Sequence, residues 1–430
     1  MEWSIYNHLF YSQKAQTYLL YSSLSNMLIE LNEDSYKEIL GIKDNPNIVN
    51  MQNELGEILL DGRFVVQSNK TEINKIILSA LSQRFNPTTL SLTIAPTRAC
   101  NFNCSYCYEC DRANKKMSKK TQNALVKFVK QHEDVKFLHV IWYGGEPTLA
   151  KATIKYLSDE LQKIAKNYSA FMVTNGYCLD KIVDSIELMK ISSLQITLDG
   201  TKETHNQSRP LLNGNGTFDK ILSNLDMIVS RTKVNVNIRM NITTENKNQF
   251  TDLYYLLKER YASKVRLYPA FVHNYNGACR ADTCYDDSYT KAVFLKDLYE
   301  KNSIYTREIY PFRISKGCMV QKLNAFVIGP GGELYKCWHH LGVKEKEIGN
   351  ILDNRKILDY GKLADMMLED DSLFDNNCNH CQLFPSCNGG CTDIKRHHEN
   401  VCIPAKSMLE DFINIHYVVK NNMNMAKQIT

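Results

Sequence analysis

The chain has 430 residues, 43% of them hydrophobic, and 52 basic against 47 acidic side chains give a net charge of +5. That length is two or three domains' worth, the apolar fraction suffices for real cores, and the charge is too mild to imply a nucleic-acid partner. No uninterrupted apolar run reaches membrane-spanning length and residues 1–6 lack the basic and apolar regions of a signal peptide, so a cytoplasmic location with no membrane partner is expected. Without an export signal, fourteen cysteines, several in C-x2-C spacing, point to metal or cluster ligation rather than disulfides.

Taken in chain order, residues 1–88 read as a small α+β unit. The segment 17–31 carries two short strands around a polar turn, Asn32, Glu33 and Asp34 start a helix, 64–66 is a strand, and 72–85 has helical apolar spacing at Ile73, Ile76, Ile77, Ala80 and Leu81. From 89 to 275 apolar strands at 90–94, 137–142, 170–173, 194–198, 234–240 and 265–268 alternate with amphipathic helices at 118–132, 150–166, 181–190, 218–230 and 248–260. Such alternation means βαβ units around a parallel sheet, and functional residues then belong where strands end.

The unusual residues do fall at strand ends. After the first strand come Cys100, Cys104 and Cys107, spaced C-x3-C-x2-C, with Tyr106 directly before the third thiol. Three thiols can hold three irons of a cubane cluster and leave the fourth iron open. Electron-transfer clusters normally take four thiolates, and structural zinc sites are closed by four ligands, so three suggest that another group completes the shell. After the second strand comes Tyr143-Gly144-Gly145-Glu146-Pro147, in which two glycines allow close backbone approach to a ligand and Glu146 presents a carboxylate. Thr174-Asn175-Gly176 ends the third strand and Thr197-Leu198-Asp199-Gly200 the fourth. Arg209 follows, a guanidinium suited to a carboxylate. Arg239 and Asn241 end the fifth strand and are further candidates for the same pocket.

These motifs, in this order, resemble the radical S-adenosylmethionine (SAM) superfamily. The resemblance implies a partial six-stranded, TIM-like (β/α)6 barrel in which Cys100, Cys104 and Cys107 bind a 4Fe–4S cluster. It also implies that SAM chelates the open iron and is split by one-electron reduction to a 5'-deoxyadenosyl radical. Tyr106, Gly144, Gly145, Glu146, Pro147, Asn175, Thr197, Asp199 and Arg209 become the expected SAM-binding residues. The Gly-Gly-Glu-Pro stretch would bond the SAM amine, Thr197 the ribose and Arg209 the carboxylate. No residue is singled out as catalytic. The pattern of residues 1–88 is similar to the N-terminal peptide-recognition regions of peptide maturases in this superfamily, with a packing extension of the barrel as the other reading.

The C-terminal third has its own cysteine pattern: Cys318, Cys337, Cys378, Cys381, Cys387, Cys391 and Cys402. The stretch 326–337 reads as a hairpin with a Pro-Gly-Gly turn. This spacing resembles the SPASM domain, which builds two auxiliary 4Fe–4S clusters. By that resemblance Cys318, Cys337 and Cys391 ligate the first and Cys378, Cys381, Cys387 and Cys402 the second, for three 4Fe–4S clusters in all. The first is one ligand short: either Cys279 or Cys284 reaches in, or the iron is open to substrate. A four-cysteine zinc site competes for the 378–391 group. Cys110 and Cys178 have no assigned role. The expected domains are a recognition unit at 1–88, the barrel at 89–275, a bridging region at 276–317, the SPASM domain at 318–402, and a closing helix at 403–430.

The favoured function is a radical SAM oxidoreductase acting on a ribosomally synthesised precursor peptide with a leader, installing a thioether crosslink or a carbon–carbon or carbon–oxygen one. An external electron donor such as flavodoxin or ferredoxin would serve it, in an anaerobic setting. The alternative is anaerobic sulfatase maturation to formylglycine. An iron–sulfur or zinc-held electron-transfer or interaction protein is the non-enzyme reading, and it leaves the Gly-Gly-Glu-Pro strand end unexplained.

Overall fold

The computed structural model describes all residues except 51, 110–114, 274–283, 286, 315–316, 396–401 and 430, and only the backbone from 423 to 429. The chain forms two compact units: Met1–Arg84 with Asp286–Cys318 and Asp370–Thr430, and Phe85–Tyr285 with Met319–Glu369.

In the first unit, β1 (Glu2–Trp3) pairs antiparallel with β5 (Val65–Val66), and β2 (Asn7–Ser12), β3 (Thr17–Ser22) and β4 (Met27–Leu31) make an antiparallel sheet. The strand pair expected at 17–31 is the β3–β4 hairpin, and β2 extends it. Asn32 caps the helix Glu33–Asp44 as its sequence suggested, its Oδ1 accepting from Ser35 N–H at 2.8 Å. Leu20, Leu31, Ile39, Ile42, Leu59 and Phe64 form a core beneath the sheet. A second core is shared with the C-terminal segment. Ile73 and Ile76 of the helix Asn69–Arg84 pack with Tyr6, Leu24 and Val66 against Leu373 and Phe384.

Polar contacts close this junction. Arg84 is forked on Asp371, with Nη2 to Oδ1 at 3.0 Å and Nη1 to Oδ2 at 2.5 Å, both residues buried. Tyr6 donates its hydroxyl to Asn379 O at 2.8 Å and Tyr21 to Pro311 O at 2.9 Å. The sequence pattern treats 1–88 and 318–402 as separate pieces, whereas residues 370 onward complete the core of the N-terminal segment. The final helix, Leu409–Ile429, buries Phe412, Ile413 and Ile415, and Lys296 of the helix Ser288–Asn302 pairs with its Asp411 at 2.7 Å.

In the second unit six parallel strands follow one another in sequence order: β6 (Thr89–Ile94), β7 (Phe137–Trp142), β8 (Asn167–Thr174), β9 (Ile191–Thr197), β10 (Asn235–Ile242) and β11 (Val265–Phe271). Helices Lys119–Lys130, Lys151–Leu161, Phe218–Arg231 and Phe250–Tyr261 fill the expected crossovers, giving the partial (β/α)6 barrel. The helix expected at 181–190 is instead a pair of 3₁₀ turns, Leu179–Lys181 and Val183–Ser185. Its buried residues Ile182, Val183, Ile186 and Met189 keep the spacing of a helix face, but the backbone closes in 3₁₀ turns, and Lys190 ends the segment at φ +53. A short helix, Lys202–Ser208, sits where none was expected, on the approach to Arg209.

The sheet continues past β6. β12 (Ala325–Ile328) runs parallel to β6, pairing Ala325 with Ser91 and Ile328 with Ile94. β13 (Glu333–Tyr335) returns antiparallel through the Pro-Gly-Gly turn, where Gly332 adopts φ +86, and β14 (Gly349–Asn350) follows. The hairpin read at 326–337 therefore exists, and it extends the barrel's own sheet. Among the described residues no helix is long and apolar enough to cross a membrane.

Candidate functional site

The glycine pair after β7 fixes the loop after β6. A side chain at Gly144, at φ +107, would put its Cβ 2.4 Å from Thr97 O, and one at Gly145 would lie 2.3 Å from Arg98 O. Gly145 N–H donates to Thr97 O at 3.2 Å and Glu146 N–H to Ala99 O at 2.9 Å. The close approach that demands glycine here is thus to the backbone leading into Cys100, rather than to a ligand. Cys100, Cys104 and Cys107 then line one cavity of about 230 Å³ at the C-terminal ends of the strands. Burial pushes the Cys100 thiol up to about 12, so an uncompensated thiolate is disfavoured there and a metal would have to displace its proton.

Within the cysteine loop, Tyr106 is a hub. Its hydroxyl donates to Asp199 Oδ2 and accepts from Arg209 Nη1 at 2.5 Å and Asn241 Nδ2 at 2.9 Å. Arg209 lies 3.8 Å from Asp199 and over the Phe102 ring at 5.7 Å. Burial opposes its charge, but Cys104, Tyr106 and Asp199 hold the guanidinium well above its usual range, and it stays charged. Its Nε is buried with no partner. The turn that delivers Arg209 is fixed by His205, which burial keeps neutral. His205 Nδ1 accepts from Asp199 N–H at 3.2 Å, so Nε2 carries the proton toward Thr217 Oγ1 at 3.0 Å, and that hydroxyl donates to Arg209 O at 2.8 Å.

Of the expected SAM-binding residues, Tyr106, Gly144, Gly145, Asn175, Thr197 and Arg209 line the cavity together with the three cysteines. Arg239 and Asn241 join them, with Arg239 Nε donating to Asn241 Oδ1 at 2.8 Å. Glu146, Pro147 and Asp199 do not; they are buried behind the wall. Glu146 has no exposed surface. Its Oε1 accepts from Thr148 N–H at 3.0 Å, Thr148 Oγ1 at 2.5 Å and Thr174 Oγ1 at 2.7 Å, and its Oε2 from Asn175 N–H at 2.7 Å. The expectation of a carboxylate presented to a ligand is corrected: those four donors turn it inward.

Residues that sequence reasoning passed over complete the wall. Phe102, Tyr143, Phe271, His273, Trp338 and His339 all line it. Tyr143 and Trp338 rings lie 4.9 Å apart, and Trp338 Nε1–H is held by Thr93 Oγ1 at 2.9 Å. The only signals available were position: Phe102 lies inside the cysteine loop, Tyr143 directly before the glycine pair and Trp338 directly after Cys337.

Four C-terminal thiols also meet. Cys378, Cys381, Cys387 and Cys402 line a small cavity of about 40 Å³ with Lys395 and Lys406. Cys318 and Cys391 belong to the same unit, and the Cys391 thiol is pushed up by burial and then by the charge of Cys318. Cys337 follows β13 in the barrel unit. Cys284 is half-buried beside the end of β11, where Tyr285 N–H donates to Val272 O at 3.1 Å; Cys279 and Cys110 lie outside the described residues. Cys178 is buried.

Residues 94–257 match the sequence model of the Radical SAM superfamily. The barrel is a radical SAM domain. Its fold is similar to that of native anSMEcpe with bound AdoMet, at a TM-score of 0.57 and 22% identity over 79% of this chain and 100% of that one. It is also similar to SuiB of Streptococcus suis bound to S-adenosylmethionine, at a TM-score of 0.52 and 14% identity over 93% of this chain and 97% of that one. In sequence it is 25% identical to a cysteine-type anaerobic sulfatase-maturating enzyme of Clostridium novyi (strain NT) over 77% of this chain and 98% of the relative. The cofactors that go with this domain are SAM and 4Fe–4S clusters. Its residues fit them: three thiols of one loop share a cavity with a buried guanidinium that keeps one N–H unpartnered, and four more thiols share a second cavity.

Proposed function

We propose that this radical SAM protein is a peptide maturase that abstracts hydrogen from a residue of a ribosomally synthesised precursor and installs a crosslink. A thioether from cysteine sulfur to a residue's carbon is favoured, ahead of carbon–carbon or carbon–oxygen bonds. The observation that carries the reading is the one cavity in which three thiols face a buried guanidinium and an aromatic wall. In this reading Cys100, Cys104 and Cys107 hold three irons, Arg209 takes the SAM carboxylate, and Thr197 and Asn175 flank the cofactor. Glu146 and Asp199 act one layer behind: Glu146 ties two strand ends together, and Asp199 with Tyr106 aims Arg209. The backbone at Gly144 and Gly145 remains for the SAM amine. The cofactor, when bound, supplies a 5'-deoxyadenosyl radical on one-electron reduction from a donor such as flavodoxin or ferredoxin. Tyr143, Trp338 and Phe102 exclude water around the reacting carbon. Cys318, Cys337 and Cys391, and the Cys378, Cys381, Cys387 and Cys402 set, hold the auxiliary clusters that take up an electron as the bond forms.

Residues 1–88 are assigned to leader recognition, with a sheet edge to which an extended peptide adds by backbone pairing. The SuiB fold, seen with its precursor peptide SuiA, spans 93% of this chain, whereas anSMEcpe spans 79%. Formylglycine formation is the second reading, supported by the sequence likeness to sulfatase-maturating enzymes across nearly their whole length. The test is anaerobically reconstituted protein with SAM, reductant and either a cysteine-bearing precursor or a sulfatase-derived peptide, read by mass spectrometry. Loss of two hydrogens with sulfur retained supports the crosslink. Replacement of the cysteine sulfur by oxygen together with loss of two hydrogens supports formylglycine and sinks the crosslink.

A further inference from the structure

We infer that Lys395 and Lys406 set the reduction potential of the auxiliary cluster held by Cys378, Cys381, Cys387 and Cys402, keeping it above the value that four thiolates alone would give. The inference rests on assigning those four cysteines to one 4Fe–4S cluster. Both lysines line the cavity that the four thiols share. Lys395 Nζ lies 3.1 Å from Cys378 Sγ, and Lys406 Nζ lies 3.5 Å from Cys402 Sγ. These are ammonium-to-sulfur contacts, the charge-assisted kind, made directly to ligand atoms. A thiolate-held cluster gains one negative charge on reduction, so a nearby fixed cation stabilises the reduced form more than the oxidised one and raises the potential. Net charge and hydrogen bonds to the sulfurs are among the levers by which a protein sets that potential.

The two lysines are unequal. Lys395 is half-buried and held from both sides, its Nζ also donating to Ser372 Oγ at 2.9 Å and its backbone N–H to Cys391 O at 3.1 Å. Lys406 is exposed, and solvent and salt screen its charge. The carboxylate of Asp375, which interacts with both Cys378 and Lys395 and is half-buried as Lys395 is, offsets part of the effect. Two ammonium groups in direct contact with the sulfurs against one carboxylate leave a net upward shift, dominated by Lys395. A cluster so poised accepts an electron more readily.

The test is a potentiometric titration of the anaerobically reconstituted whole chain, followed by electron paramagnetic resonance, with iron counted for every variant. The signal of this cluster is the component that disappears in Cys378→Ala/Cys381→Ala. Lys395→Met, with iron retained, is expected to lower the midpoint of that component and leave the others in place. Lys395→Arg should keep most of the midpoint, and Lys406→Met should lower it less, by an amount that shrinks at high salt. An unchanged midpoint in both methionine variants at full iron content overturns the inference. Zinc in place of iron at these four cysteines would instead overturn the cluster assignment beneath it.

Discussion

Glu146 Oε2 accepts the backbone N–H of Asn175 at 2.7 Å, which ties the end of β7 to the end of β8 beneath the cavity floor. With three more donors on Oε1 and no exposed surface, this carboxylate is a structural acceptor. Glu146→Ala strands those donors in a dry site and should cost about 3 kcal/mol of barrel stability. Glu146→Gln, which turns an acceptor into a donor facing other donors, should cost nearly as much. Chemical denaturation of the two variants checks this; a midpoint equal to that of the unaltered chain would contradict the role.

Arg209 behaves differently, because its guanidinium lines the cavity, with Tyr106 in the wall beside it and Asp199 buried behind. Arg209→Lys loses the planar fork and should weaken SAM binding by about tenfold to a hundredfold with iron content unchanged. Tyr106→Phe removes one contact to Arg209 but leaves Asp199 at 3.8 Å, so a smaller loss is expected. Equilibrium binding of SAM to reconstituted protein measures both, and equal affinity in all three proteins would mean that the cavity holds something else at this end.

What the sequence made legible follows from short-range physics. The six parallel strands carry apolar runs of strand length, and each motif sits within a few residues of a strand end, so barrel and cysteine loop could be read together. What failed was either side-chain direction or long-range pairing. Nothing in Gly-Gly-Glu-Pro says whether Glu146 faces in or out; that depends on Thr174 and Asn175, about thirty residues away, supplying donors. β12 reads as half of a local hairpin, yet its other edge pairs with β6, more than two hundred residues earlier. Trp338 joins the cavity by the same long-range route. The 181–190 segment misled because its buried residues Ile182, Ile186 and Met189 keep helical spacing although the backbone there closes in 3₁₀ turns.

The first unit should also be acid-sensitive through His416. Burial and the charge of Lys420 lower its pKa from 6.5 to about 4. Its ring stacks on Tyr310 at 3.7 Å, and its Nδ1 lies 2.7 Å from the Tyr305 hydroxyl oxygen. Because the folded state favours the neutral form, the stabilisation is complete above pH 6.5 and is lost as pH falls through 4. The ring is partly exposed, so the loss is roughly 1–2 kcal/mol after allowance for solvent. His416→Gln should flatten the fall in stability of this unit between pH 6.5 and 4; an unchanged slope would show that other groups carry it.

The last prediction concerns removal of residues 1–88. If this segment were an independent recognition module, its deletion would leave all iron in place. The structure argues otherwise. Tyr6, Leu24, Val66, Ile73 and Ile76 make one side of the core whose other side is Leu373 and Phe384, with Cys378 and Cys381 packed against it. Deletion opens that core, leaves the buried Asp371 without Arg84, and removes the hydroxyl that holds Asn379 O. The expected outcome is a chain that keeps the barrel and slow SAM cleavage but has lost the second auxiliary cluster, about four irons of about twelve. Iron analysis with a SAM-cleavage assay on the truncated protein checks this. Retention of every iron would show that 370–402 folds without its N-terminal partner, and leader recognition by 1–88 could then be tested by deletion alone.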